Sequence, residues 1–155
     1  LWDTIWEAGL PFNISPGCPN LIERIEGGLF SYGNEMTREN NPFEIGHGKF
    51  CVVDGSIDYI GRAALQKIAA EGVNREIRGI TFGGDPCPTC STPWPVFSAE
   101  RQVGQITSGI WSPRLKKNIG QSMVDRDFWD PGQTVTVVLP NGNIRGGNVV
   151  ALPIR

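Results

Sequence analysis

Two hydrophobic rhythms divide the chain. Up to residue 72 the apolar positions recur at helical spacing in short runs. LWDTIWEAG sets Leu1, Ile5 and Ala8 on one face, with Trp2 and Trp6 a turn apart beside them and Gly9 as the stop. PNLIERIEGG opens with Pro19, places Leu21, Ile22 and Ile25 on one side, and closes on a glycine pair. A third run, DYIGRAALQKIAAEG, carries its alanine, leucine and isoleucine stripe between Gly61 and Gly72. PFNIS at 11–15 is compatible with a short strand, and the stretch YGNEMTRENNPFEIGHGKF reads as irregular.

Beyond residue 72 the period falls to two. EIRGITF alternates, WPVFS and QVGQITSGI are joined across a short polar AER turn, and TVTVVLP and IRGGNVVAL flank NGN, the strongest hairpin signal in the chain. At least five short strands and one helix, with turns every dozen residues or so, predict a small antiparallel barrel. The expected class is α+β, mainly β: a C-terminal barrel with one helix, preceded by the helical tail of a larger domain. The boundary is expected near residue 48, dividing 1–47 from 48–155. No cap residue stands ahead of the first helix, so Leu1 is expected to lie inside a longer natural chain. Residues 1–47 are expected to be the less stable portion.

Composition narrows the partners. The 20 glycines and 12 prolines are dispersed, which fits many turns rather than a disordered tract. A net charge of −2 offers no excess of cations for nucleic acid or an anionic membrane, and neither is expected as a partner. No apolar run approaches the ~18 residues of a membrane span. Cys18, Cys51, Cys87 and Cys90 form no secreted disulfide pattern, so reduced thiols in the cytoplasm are expected. The CPTC segment, Cys87 to Cys90, could clip zinc or exchange thiols, but its proline-rich surroundings favour a plain loop.

Catalytic signatures are sparse. One histidine, His47, serves the whole chain, which leaves no Ser-His-Asp set, and neither a Walker loop nor GxGxxG follows a strand. His47 between Gly46 and Gly48 could act as an acid or base, although a surface turn is the plainer reading. The basic SPRLKKN segment, Ser112 to Asn118, could meet an anion such as a polyglutamate tail or simply face solvent.

Several ordered motifs carry more. Arg24, Glu26, Gly28 and Leu29 give Arg-x-Glu-x-Gly-Leu, followed by Tyr32, Gly33 and Glu35 as Tyr-Gly-x-Glu. NPFEIGHGKF and DYIGRAAL come next, and Thr107 to Pro113 supply Thr-Ser-Gly-x-x-Ser-Pro. Together they resemble the glycine-cleavage T-protein family of tetrahydrofolate-dependent aminomethyltransferases, with a leaning toward the branch that demethylates dimethylsulfoniopropionate in IERIEGG, NNPFEIGHGKF and FGGDP.

The resemblance implies one-carbon transfer to tetrahydrofolate from a sulfonium compound or a lipoyl-protein-bound aminomethyl group. It implies that the N-terminal half of the same protein is a partner, because the family's catalytic aspartate and a second folate-contacting glutamate have no matching positions here. It suggests three cofactor-contacting positions: Asn20, where family members carry arginine, Tyr32 in the motif turn, and Arg155 near the C-terminus. Trp111 could face an interdomain cavity, or pack in the barrel wall. Two alternatives stay open: a non-catalytic binding or regulatory barrel, and a zinc-clipped Cys-x-x-Cys domain.

Overall fold

A computed structural model describes residues 1–14 and 20–155. Ser15, Cys18 and Pro19, which figured in the sequence reading, lie outside the described residues. Three helices precede the sheet: α1 (Trp2–Gly9), α2 (Leu21–Gly27) and α3 (Arg62–Glu71). Six strands follow: β1 (Arg75–Phe82), β2 (Trp94–Ser98), β3 (Arg101–Ser112), β4 (Lys117–Asp125), β5 (Thr134–Val138) and β6 (Ile144–Val150). They close in the order β1-β4-β3-β2-β5-β6, every neighbouring pair antiparallel. The expected barrel is therefore present.

Two local readings need correction. Leu10–Phe12 forms a 3₁₀ turn rather than the first half of a strand, because Pro11 fixes φ and has no N–H to donate to a ladder. Strand β4 escaped the sequence reading altogether. KNIGQSMVD does not alternate apolar with polar, yet it pairs with both β1 and β3, and Asn118, Gln121 and Ser122 are fully buried within it.

The barrel is filled by Ile80, Phe82, Trp94, Val96, Val103, Ile106, Val124, Val135, Val137 and Val149, inward positions from all six strands. The ring of Trp94 lies edge-on to Phe82, with centroids 6.2 Å apart. Room for Trp94 and Ile106 depends on the cross-strand pair Gly109 and Gly120. A β-carbon on Gly109 would lie 2.8 Å from the Trp94 ring, and one on Gly120 would lie 2.7 Å from Ile106 Cγ2.

The proline-rich CPTC loop packs against one part of this core. The side-chain amide of Asn118 donates to the carbonyls of Gly83, Gly84 and Asp85, and its oxygen accepts the Cys87 N–H at 2.8 Å. Cys87 is thereby drawn into the core, while the Cys90 N–H donates to Gly109 O. Burial raises both thiol pKa values, that of Cys90 to about 11 with the neighbouring Cys87 adding to the effect. At neutral pH both are protonated thiols rather than nucleophiles.

Gly109→Ala is expected to lower unfolding free energy by about 1–3 kcal/mol through overpacking against Trp94. Gly146→Ala, where a β-carbon meets nothing within 4 Å, is expected to change it by less than about 0.5 kcal/mol. Urea melts of the two variants against the parent chain check both values.

Candidate functional site: a carboxylate clasp between the motifs

The motif residues that lie far apart in the sequence meet at one seam. Helix α2 begins at Asn20, whose side chain accepts the Glu23 N–H at 2.9 Å as an N-cap. It ends at Gly28 with φ +69, a left-handed conformation glycine adopts without strain. That stop turns the chain back, so that residues 29–36 run along the barrel wall beside β3. Buried Ile25 packs with Ile119 and Ile154 in a small second core, and the Ile154 N–H donates to Glu26 O at 2.8 Å.

Two carboxylates then fix this helix and turn to β3. Glu35 has no exposed side-chain surface. It accepts from Arg24 Nη1 at 2.8 Å, the Ser31 N–H at 2.7 Å, Thr107 Oγ1 at 3.4 Å and the Ser108 hydroxyl. Arg24 reaches Ser108 Oγ at 2.6 Å with its other terminal nitrogen. Both Thr107 and Ser108 can address one carboxylate because the β3–β4 register shifts between Ile106 and Ser108. A bulge of this kind re-aims side chains that regular alternation would send to opposite faces.

Two residues beyond Arg24 on α2, Glu26 accepts the Ser112 hydroxyl and Arg114 Nε, the latter at 2.7 Å. Burial tends to raise the Glu26 pKa, but the Ser112 and Arg114 contacts outweigh it and the net shift is downward. Gln121, buried on β4, donates to the carbonyls of Ile25 and Leu29 at 3.3 and 3.4 Å. Glu44 extends the stitching: Arg75 Nε lies 2.9 Å from its carboxylate, and its carbonyl accepts the Ile77 N–H.

Thus Arg-x-Glu and Tyr-Gly-x-Glu form one half of a clasp, and Thr-Ser-Gly-x-x-Ser-Pro the other. The sequence named these residues as a family pattern without reading their contacts. Arg114, from the basic SPRLKKN segment, serves the clasp by pairing with Glu26. The remaining candidates are dispersed. Tyr32 projects outward, two-thirds exposed, and Arg155 is exposed beyond the Ile154 anchor. The amide oxygen of Asn20 is occupied by its cap bond. Trp111 is half-buried at the outer end of β3.

His47 stands between Phe30 and Phe50, 5.7 Å from each ring centroid, in a cleft of about 520 Å³ also lined by Lys49, Arg78 and Leu152. None of Asn20, Tyr32 and Arg155 lines that cleft. No group of three or more His, Cys, Asp or Glu side chains is arranged to hold a metal ion among the described residues. Among the same residues no helix is long and apolar enough to cross a membrane.

A closed six-stranded barrel with a helix and turn clasped to its wall defines a small accessory barrel domain of the α+β type. Residues 75–154 match the glycine cleavage T-protein C-terminal barrel domain, and the chain belongs to that family. It is 49% identical over 142 residues to the dimethylsulfoniopropionate demethylase of Ruegeria pomeroyi, a match that takes in 92% of this chain and 38% of that protein. The aminomethyltransferase of Bacillus pumilus is 33% identical, with 99% of this chain and 42% of the relative covered. In fold, the chain is similar to the glycine cleavage system aminomethyltransferase T of Bartonella henselae, with a TM-score of 0.73 at 22% identity over 84% of this chain and 36% of that one. The expected family and its demethylase-like leaning are both borne out, and the chain spans about two fifths of the length of these curated relatives.

Glu35→Ala strands the largely buried Arg24 guanidinium and is expected to destabilise the chain by about 3–5 kcal/mol, read as a shift in the urea midpoint. A second outcome concerns pH. Because the folded-state pKa of Glu26 lies below its ordinary 4.5, its contribution is present above that value and is lost as pH falls through the lower, folded one. The stability difference between the parent chain and Glu26→Gln should therefore be full at pH 7 and shrink below about pH 4, measured by thermal melts across that range.

Proposed function

We propose that this chain is the C-terminal portion of a tetrahydrofolate-dependent one-carbon transferase whose donor is a sulfonium compound of the dimethylsulfoniopropionate type. The observation that carries the reading is the 49% identity to a demethylase, against 33% to the aminomethyltransferase of Bacillus pumilus. In this reading residues 1–47 close the larger folate-binding domain and residues 48–155 form the barrel domain. The N-terminal portion of the same protein is the partner, and the working compartment is the cytoplasm.

The chemistry of the donor suits what this chain offers. A sulfonium is already activated: when its carbon–sulfur bond breaks, sulfur departs as a neutral thioether and needs no proton. Orientation and exclusion of water then matter more than an acid or base. The clasp supplies rigidity of that kind, holding the turn that carries Tyr32 against the barrel wall. Asn20, Tyr32 and Arg155 are the proposed contacts of this chain with the cofactor, completed by groups from the N-terminal portion. An amide at Asn20 cannot supply the charged fork of the arginine that family members carry there, which makes its contribution the weakest of the three.

Calorimetric titration with tetrahydrofolate, followed by a methyl-transfer assay from dimethylsulfoniopropionate, tests the reading on both the longer protein and the 155-residue chain. Binding and transfer are expected from the longer protein, and no transfer from the 155-residue chain. A longer protein that ignores tetrahydrofolate would favour the non-catalytic module. Transfer from an aminomethyl donor alone would move the assignment to glycine cleavage.

A further inference from the structure

Apolar exposure in this chain is segregated. Of the fourteen large apolar side chains left exposed among the described residues, thirteen precede Gly61 and one, Ile144, belongs to the barrel. The segment 50–60 concentrates the effect: Phe50 is 70% exposed, Val52 66%, Ile57 78% and Ile60 fully so. Contiguous apolar exposure on this scale marks an interaction surface.

The segment is nonetheless built. Arg62 of α3 donates to the carbonyls of Val53 and Gly55, Gln66 Nε2 donates to Val53 O at 2.9 Å, and Tyr59 Oη donates to Val52 O at 3.3 Å. These bonds satisfy backbone acceptors and hold the loop against α3 while its apolar side chains stay exposed. Between loop and helix lies a hollow of about 530 Å³, floored by Leu65 and walled by Val52, Ile57 and Tyr59. Helix α3 itself has no buried residue, so its apolar stripe also lacks a full partner. Asp54 and Asp58 are interleaved with the lining residues, both are exposed, and neither has an ion-pair partner among the described residues.

We infer that this hollow is the docking site for a segment of the N-terminal portion of the longer protein, an apolar stretch flanked by lysine or arginine. The inference rests on the proposed function for the existence of that portion. Its commitment to this occupant comes from length: the curated relatives are matched over only 38–42% of their own chains, which leaves ample polypeptide to cover the surface. The two exposed, unpaired aspartates beside the hollow favour basic residues on the occupant, and the preformed loop would meet it without an ordering cost.

Hydroxyl-radical footprinting of the 155-residue chain and of the longer protein, both without folate, tests this directly. Val52, Ile57 and Ile60 are expected to label strongly in the short chain and to lose their labelling in the long one. The double variant Ile57→Asp/Ile60→Asp should leave the melting temperature of the short chain unchanged within about 2 °C and should lower that of the longer protein. Equal labelling in both forms, or a longer protein indifferent to the double variant, overturns the proposal. Concentration-dependent dimerisation of the short chain that vanishes in the variant, without protection in the long form, would assign the surface to a second copy and overturn it as well. No folate or turnover enters these readouts, so a failure here is separable from a failure of the proposed activity.

Discussion

The buried carboxylate of Glu35 is the constraint around which the rest is arranged. A charge removed from water is tolerated only when charged and hydrogen-bonding partners replace its hydration. Glu35 has four such donors, from a helix, its own turn and a barrel strand. Arg24 brings the compensating charge, and the three neutral donors replace the rest of the lost hydration. That requirement makes α2, the 29–36 turn and the middle of β3 a single unit, even though their sequences lie more than 70 residues apart.

Other features serve this unit. The bulge at Thr107 brings two hydroxyls to one carboxylate, and Gly109, two residues on, leaves room for Trp94 beneath. Ser112 receives the second carboxylate, and the following turn delivers Arg114 to it. The polar stretch in β4 answers from the neighbouring strand, with Gln121 bonding the last carbonyls of α2. What distinguishes the family in sequence is therefore, in this chain, largely the chemistry of attachment. The clasp's polar members are bonded to one another across the seam, and it has the character of a scaffold.

Much of the fold was legible in local pattern. The NGN hairpin, the alternating β1 and the WPVFS–QVGQITSGI pair all announce themselves through turn chemistry and period two. β4 did not, because its buried side chains are amides and hydroxyls whose burial is justified only by partners on other elements: Asn118 by the CPTC loop, Gln121 by α2. The site divided in the same way. Arg24, Glu26 and Glu35 stood out as a pattern, but their partners Ser108, Ser112 and Arg114 are 73 to 88 residues away, beyond any local period. The CPTC pair drew attention for metal or redox chemistry; in the fold Cys87 joins the barrel core with its N–H on Asn118, and Cys90 packs against that core with its N–H on Gly109 O.

Closure of the sheet has a consequence for how this domain can be recognised. Each strand has a neighbour on both sides, and the seams paired over only part of their length, β2–β5 and β1–β6, leave just short stretches of backbone onto which an extended peptide could add itself. Attachment to the barrel is then carried largely by side chains, as the Glu26 and Glu35 contacts are, with single main-chain bonds such as Ile77 N–H to Glu44 O beside them. Selectivity in its assembly is accordingly written in residue identity rather than in main-chain geometry.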